Sequence, residues 1–345
     1  MSDELRQLVD DLAQRSYDAL MGRRTRPETF DAELWRHLEE TGLSRLTAAE
    51  DAGPAVSAIV LAGLARRSAA VPVAETDLLG AWLAGAAGLT VPAEGPLTVA
   101  TCTAERRDGR IVGLARRVPW PREATIIVAA RTGADLFVTV LDDPVITDGM
   151  DLAGEPRGDV AIDVAESACV AVDPALGDEL VRRGAWARCV QTIGAFDAAA
   201  ELTVAHTTDR VQFGRALSKF QAVQHALAAM AGEIERARAT TDLAIAAAAQ
   251  FGFDSPTTDH AVTVAKVTVG RTVEPVTTIA HQLHGAIGVT AEHPLWLSTM
   301  RARGWVDEFG TTAHHARILG RRTLAAADPW DVVVAGPRSR ALEHG

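Results

Sequence analysis

Residues 206–228 read HTTDRVQFGRALSKFQAVQHALA, and residues 280–303 read AHQLHGAIGVTAEHPLWLSTMRAR. The first stretch separates two long apolar-periodic segments, and the second closes a third. In the first, Arg210 precedes Gln212, Phe213 and Gly214, with Gly214 marking a break between helices. A turn at that point exposes a guanidinium, an amide and an aromatic ring together. Arginine suits bidentate phosphate binding, and a phenyl ring can stack on an adenine. Taken alone, these residues equally describe a helix break with a solvated arginine and a core phenylalanine. In the second stretch, Gly285 and Gly288 end a helix and allow close backbone approach to a ligand. Gln282 offers a donor and an acceptor at the same end. An ordinary glycine C-cap is the equal alternative, and His284 reads as a capping residue.

Outward from these stretches the chain falls into three zones. Residues 174–345 hold long helical patterns. Trp186, Val190, Ile193, Phe196, Ala200 and Val204 form one stripe, and Phe220, Val223, Leu227, Met230 and Ile234 another. A third pattern runs from Asp259 to Gly285, and together they predict a four-helix bundle. Residues 93–173 contain LTVATCTA, TIIVAAR, DLFVTVL and AIDVAESACVAV, short β-branched runs that predict a small antiparallel sheet or barrel. Residues 1–92 predict helices: Glu4 to Met21, then PETFDAELWRHLEETGL with Thr29 at its entry and Gly42 as its stop, then SAIVLAGLARRSAA before Pro72. The fold class is α+β, mainly α.

Composition narrows the function. A formal charge of −11 over 345 residues argues against nucleic acid or an anionic membrane as a general partner. No apolar run reaches the ~20 residues that span a bilayer, and the acidic start MSDELRQLVDDLAQRSYDAL lacks the pattern of a signal peptide. Cytoplasmic residence is the expectation. Cys102, Cys169 and Cys189 are too widely spaced for a metal quartet, and three cannot make a disulfide frame. Lys219 and Lys266 are the only lysines.

Together and in this order, the two stretches resemble the acyl-CoA dehydrogenase family. DRVQFGRALSKFQAVQHALA is similar to the family's R-x-x-F-G…F-Q pattern. QLHGAIGVTAEHPL is similar to its Q-x-x-G-G-x-G…E-x-P stretch, and MRARGWVDEFGTT follows at the spacing of its R-D…E-G-T segment. The resemblance implies an N-terminal helical domain, a middle β-barrel and a C-terminal bundle. It implies FAD as cofactor and a CoA thioester as substrate. It also implies that Arg210, Gln212, Phe213, Gln282, Gly285 and Ala286 contact the ADP end of an FAD seated mainly in the neighbouring subunit. Ala286 stands where the family has its second glycine, and Thr311 falls on a threonine near the flavin.

The departures are as informative. The family removes an α-proton with a carboxylate, and that base is essential to its mechanism. It usually precedes the Gly-Thr pair, but Phe309 precedes Gly310-Thr311 here, with Glu308 one residue earlier. The family's alternative base position falls near Gly184, and Glu179 lies about a turn away. The T-E-P and W-x-T runs that cradle the isoalloxazine are replaced by TCTAERRDGR and ARRVPWPREA, in which Trp120 reads as a packing residue. Features serving a flavin in the same subunit are missing, whereas features serving a partner's flavin remain. The pattern resembles the base-lacking subunit of a heteromeric, α2β2 acyl-CoA dehydrogenase with no catalytic residue of its own. Such heteromers are known in bacterial steroid side-chain oxidation. A self-sufficient homo-oligomer using Glu308 and a flavin-free structural subunit are the rival expectations.

Overall fold

The β-branched runs of the middle zone pair into one seven-stranded sheet: β1 Leu97–Arg107, β2 Arg110–Pro119, β3 Thr125–Thr132, β4 Asp135–Leu141, β5 Val145–Thr147, β6 Arg157–Ala165 and β7 Val170–Val172. The order is β5-β6-β2-β1-β3-β4-β7. All neighbours are antiparallel except β1 and β3, which run parallel with Leu97 opposite Thr125. That pair departs from the antiparallel expectation. β2 is a strand that ARRVP did not announce, because a bulge between Ala115 and Val118 breaks its alternation. AIDVAESACVAV divides into β6 and β7 around a 3₁₀ turn at Glu166–Ala168. Ile111, Ile126, Val128, Phe137, Val160 and Ile162 make the buried cluster of this sheet.

The structure is a computed structural model describing residues 2–48, 52–290, 293–330 and 332. It divides into two compact units, residues 1–61 with 69–184 and residues 62–68 with 185–345. In the first unit the sheet is accompanied by α1 Ser2–Leu20, α2 Ala32–Glu40, the start of α3 Pro54–Arg66 and α4 Trp82–Ala86. Asp31, not Thr29, caps α2, its carboxylate accepting from the Leu34 N–H at 2.9 Å. A π-helical segment, Ala74–Ala81, precedes α4. Its Asp77 is buried and accepts from the Thr47 N–H at 2.8 Å and the Thr47 hydroxyl at 2.7 Å. Trp120 is buried beside Phe30, ring centroids 6.1 Å apart, in the packing role expected for it.

The second unit is built on α5 Ala175–Asp209 from residue 185 onward, α6 Gln221–Phe251, α7 Pro256–His284, α8 Leu295–Trp305 and α9 Thr312–Ala325. Trp186, Val190, Ile193 and Phe196 are buried as the stripe predicts. Trp186 meets Phe253 edge to face, ring centroids 5.5 Å apart, and donates its indole N–H to the Ala244 carbonyl at 3.2 Å. The stripes end early: Val204 is exposed, and Phe220, Val223 and Leu227 are only half-buried. One end of the α5–α6 pair therefore keeps apolar surface in solvent. Gly194 on α5 touches α3 so closely that an added Cβ would land on the Ala62 carbonyl. Gly194→Ala is expected to destabilise the chain by about 2 kcal/mol through overpacking, read from its urea midpoint. No helix among the described residues is long and apolar enough to cross a membrane.

Candidate cofactor-contact site

α5 ends at Asp209, and the next seven residues form a β-hairpin, not a plain break. β8 Val211–Gln212 pairs with β9 Arg215–Ala216 around Phe213 and Gly214. Both turn residues have positive φ, +53° and +78°, the geometry of a two-residue turn that matches strand twist. The hairpin is tied down by backbone bonds alone at its base, Arg210 N–H to the His206 carbonyl and Leu217 N–H to the Arg210 carbonyl, both 2.9 Å. Phe213 is 90% exposed, so it is no core residue. Its ring stands edge-on to Phe220 at 6.2 Å, and the Arg215 guanidinium lies 4.1 Å above the Phe220 ring. In a strongly acidic chain this turn carries Arg210, Arg215 and Lys219 against the single acid Asp209.

The second motif caps α7. Gly285 takes φ +66°, ψ −145°, and open space surrounds the place a Cβ would occupy. Gly285–Val289 continues as a 3₁₀ turn on which Ala286 is exposed. Gly288 is the glycine that packing demands, since a Cβ there would come within 2.7 Å of the His284 Cβ. Glu292, the acid of the E-x-P match, lies outside the described residues.

A histidine stack joins the two motifs, and sequence reasoning missed it. His206, four residues before Arg210, stacks on His284, next to Gly285, with ring centroids 4.5 Å apart and planes 20° apart. His293 meets His284 edge-on at 4.8 Å. The hairpin base and the α7 cap are thus neighbours. Face-to-face imidazoles do not converge on one ion, and no metal-capable group of three occurs among the described residues. The side chains of Arg210, Gln212 and Gln282 are exposed and make no hydrogen bond or ion pair among the described residues. The uncommitted donors of Arg210, Gln212 and Gln282, with the exposed Phe213 ring beside the first two, fit an anionic ligand that carries an aromatic group, such as the ADP moiety.

Burial pushes the His284 imidazole down to about 4, against the bond to the Ala280 carbonyl, and pushes His315 down to about 4 in the same way. The folded values lie below the unfolded value near 6.5, so neutral imidazoles stabilise the fold fully above about pH 6.5. That contribution is lost as pH falls toward 4. His284→Asn, which keeps a donor for Ala280, is expected to remove about 1 kcal/mol of the stability decline between pH 6.5 and 4. Thermal melts across that range check it.

The acids near the family's two base positions are committed elsewhere. Glu308 accepts from the Arg188 Nε–H at 2.6 Å, with side chains 16% and 3% exposed. Glu179 pairs with Arg183 at 2.8 Å, and that guanidinium stacks 4.2 Å over Trp82. Phe309 is half-buried with φ +54°. Thr311 caps α9, accepting from the His314 N–H at 3.1 Å. Burial pushes the thiols of Cys102 to about 11 and Cys189 to about 12, so neither is a nucleophile at neutral pH.

Residues 179–324 match the model of the acyl-CoA dehydrogenase C-terminal domain. The chain is 28% identical over 296 residues to the acyl-CoA dehydrogenase IpdE2 of Mycolicibacterium smegmatis, covering 84% of this chain and 88% of that protein. The chain is similar to the acyl-CoA dehydrogenase family along most of its length, and its C-terminal part matches that family's model. Members of that family are FAD-dependent oxidoreductases. The acyl-CoA dehydrogenase fold is shared with the ChsE4–ChsE5 complex of Mycobacterium tuberculosis, at TM-score 0.80 and 21% identity over 94% of this chain and 97% of that one. It is shared equally with the Tcur3481–Tcur3483 steroid ACAD, in its G363A variant, at TM-score 0.80 and 24% identity over 93% and 96%.

Proposed function

We propose that this chain is the base-lacking subunit of a heteromeric acyl-CoA dehydrogenase, contributing contacts to the ADP end of an FAD whose flavin is served by a homologous partner subunit. The observation that carries the reading is an asymmetry. Arg210, Gln212 and Gln282 stand exposed and uncommitted, whereas Phe309 occupies the base position and Glu308 is tied to Arg188. When bound, FAD supplies the hydride acceptor for α,β-desaturation of a CoA thioester. The residues of this chain bind and orient: Arg210 for the pyrophosphate, Phe213 for the adenine, Gln212, Gln282, Gly285 and Ala286 for the rest of the ADP end, and Thr311 near the flavin. The catalytic glutamate comes from the partner.

Likeness to a ChsE4–ChsE5 complex and to a steroid ACAD supports an α2β2 assembly and a bulky acyl group such as a steroid side chain. Cytoplasmic residence belongs to the same proposal. The exposed apolar end at Val204, Val211 and Phe213 is surface that a partner would cover. The test is co-expression with a homologue carrying an intact T-E-P run and glutamate, followed by a visible spectrum. About one FAD per two chains is expected from such a stoichiometry. A ratio near one per chain, or a yellow protein from this chain alone, overturns the reading in favour of a self-sufficient enzyme. A colourless complex favours a structural subunit.

A further inference from the structure

Between β5 and β6 the chain buries a group of charges inside the first unit. Asp151 and Glu155 lie on the connecting loop and Arg157 opens β6, with side chains 0%, 7% and 2% exposed. A single guanidinium nitrogen of Arg157 is 3.4 Å from Asp151 Oδ2 and 3.3 Å from Glu155 Oε2, so two buried acids draw on one donor. Asp151 Oδ1 accepts from the Ala153 and Glu155 N–H groups, both at 2.9 Å. The Asp151 N–H donates to the Glu155 carbonyl at 3.0 Å, which closes the loop on this side chain. Asp151 Oδ2 is buried and accepts no hydrogen bond among the described residues.

The closed loop ties in two neighbouring segments. The Gly154 carbonyl accepts from the Glu28 N–H at 2.7 Å, and the Pro156 carbonyl accepts from the Trp120 N–H at 3.2 Å. The other charged groups facing the loop come from these same segments. Arg26 lies against Gly154, Glu28 is paired with Arg24 at 2.9 Å, and the exposed Asp148 is paired with Arg122 at 2.8 Å. Burial here runs against polarity: Asp151 points in while Met150 and Leu152 on either side stay exposed. Burying a carboxylate is costly, and an asparagine would accept the same two N–H groups. What an acid adds is a proton that can leave. Burial first, and then the charge of Glu155, push the Asp151 carboxyl up to about 7 against the pull of Arg157. The folded value lies above the ordinary 3.8. The stabilisation that protonated Asp151 gives is therefore complete at acid pH and is lost progressively as pH rises through about 7.

We propose that Asp151, Glu155 and Arg157 form a proton-operated clasp: with a proton on Asp151 the β5–β6 loop is closed and holds the Glu28 and Trp120 segments, and loss of that proton to solvent loosens all three. Amide hydrogen exchange of the full chain at pH 6 and pH 8, divided by the intrinsic rate at each pH, tests it. Opening of residues 149–156 and of the Glu28 amide should rise about tenfold over that range, with α6 unchanged. Asp151→Asn, neutral and of the same shape, should keep the loop closed equally at both pH values. Equal opening at pH 6 and pH 8 in the unsubstituted chain overturns the clasp, as does a tenfold rise that persists in Asp151→Asn. The same rise in α6 marks global opening and also overturns it. Should Asp151→Asn fail to fold, the carboxyl carbon shift of Asp151 in the unsubstituted chain decides. A transition in the neutral range supports the clasp, and one in the ordinary carboxylate range overturns it.

Discussion

Arg210→Ala is expected to strip FAD from the assembled complex while leaving the fold of the chain untouched. The guanidinium is exposed at the base of the hairpin and makes no hydrogen bond or ion pair among the described residues. Removing a surface side chain of that kind changes stability by less than about 0.5 kcal/mol. Its value to a ligand is different. A charge-assisted, bidentate bond to a phosphate contributes about 2–3 kcal/mol, and its loss weakens binding roughly 30- to 150-fold. Flavin retained through gel filtration should fall accordingly, with the melting temperature unchanged. Arg210→Lys should recover part of the affinity, because a point charge remains without the planar fork. Full flavin content in Arg210→Ala would remove the hairpin from the cofactor site.

Much of this arrangement was legible in the sequence, for identifiable reasons. The stripe through Trp186, Ile193 and Phe196 is a local periodicity, and packing honours it. Gly214 and Gly285 mark breaks because glycine tolerates the positive φ both adopt. What sequence could not supply are relations between distant residues. The stack of His206 on His284 joins residues 78 positions apart, and Lys266 grips carbonyls 40 and 42 positions away. Neither leaves a spacing to read. The parallel pairing of β1 with β3 is likewise a choice of partner, not of strand. The hairpin at Phe213 is hidden because its strands are two residues long. The π-helix at Ala74–Ala81 follows no helical stripe, because all of its residues up to Gly80 are buried.

Glu308 is expected to behave as an anchor and not as a base, and two substitutions separate those roles. Its carboxylate meets Arg188 at 2.6 Å in a poorly hydrated setting, the arginine side chain being 3% exposed. Leucine at this position takes the carboxylate away from the Arg188 guanidinium, which keeps its bond to Gln191 at 2.6 Å, and breaking such a pair costs about 3 kcal/mol. Glu308→Leu should therefore lower the urea midpoint of the helical unit and loosen Arg188 from the Trp305 and Phe309 rings. Glu308→Gln keeps an oxygen that accepts from the Arg188 Nε–H but has no basic site. In the assembled complex it should keep turnover within about threefold, since a second-order packing change costs well under 1 kcal/mol of barrier. A base in contact with the substrate would behave otherwise: its amide would lower turnover by about 10²–10⁴. A loss of that size in Glu308→Gln, with its melting temperature preserved, would place the proton abstraction in this chain and make the assembly's second active site its own.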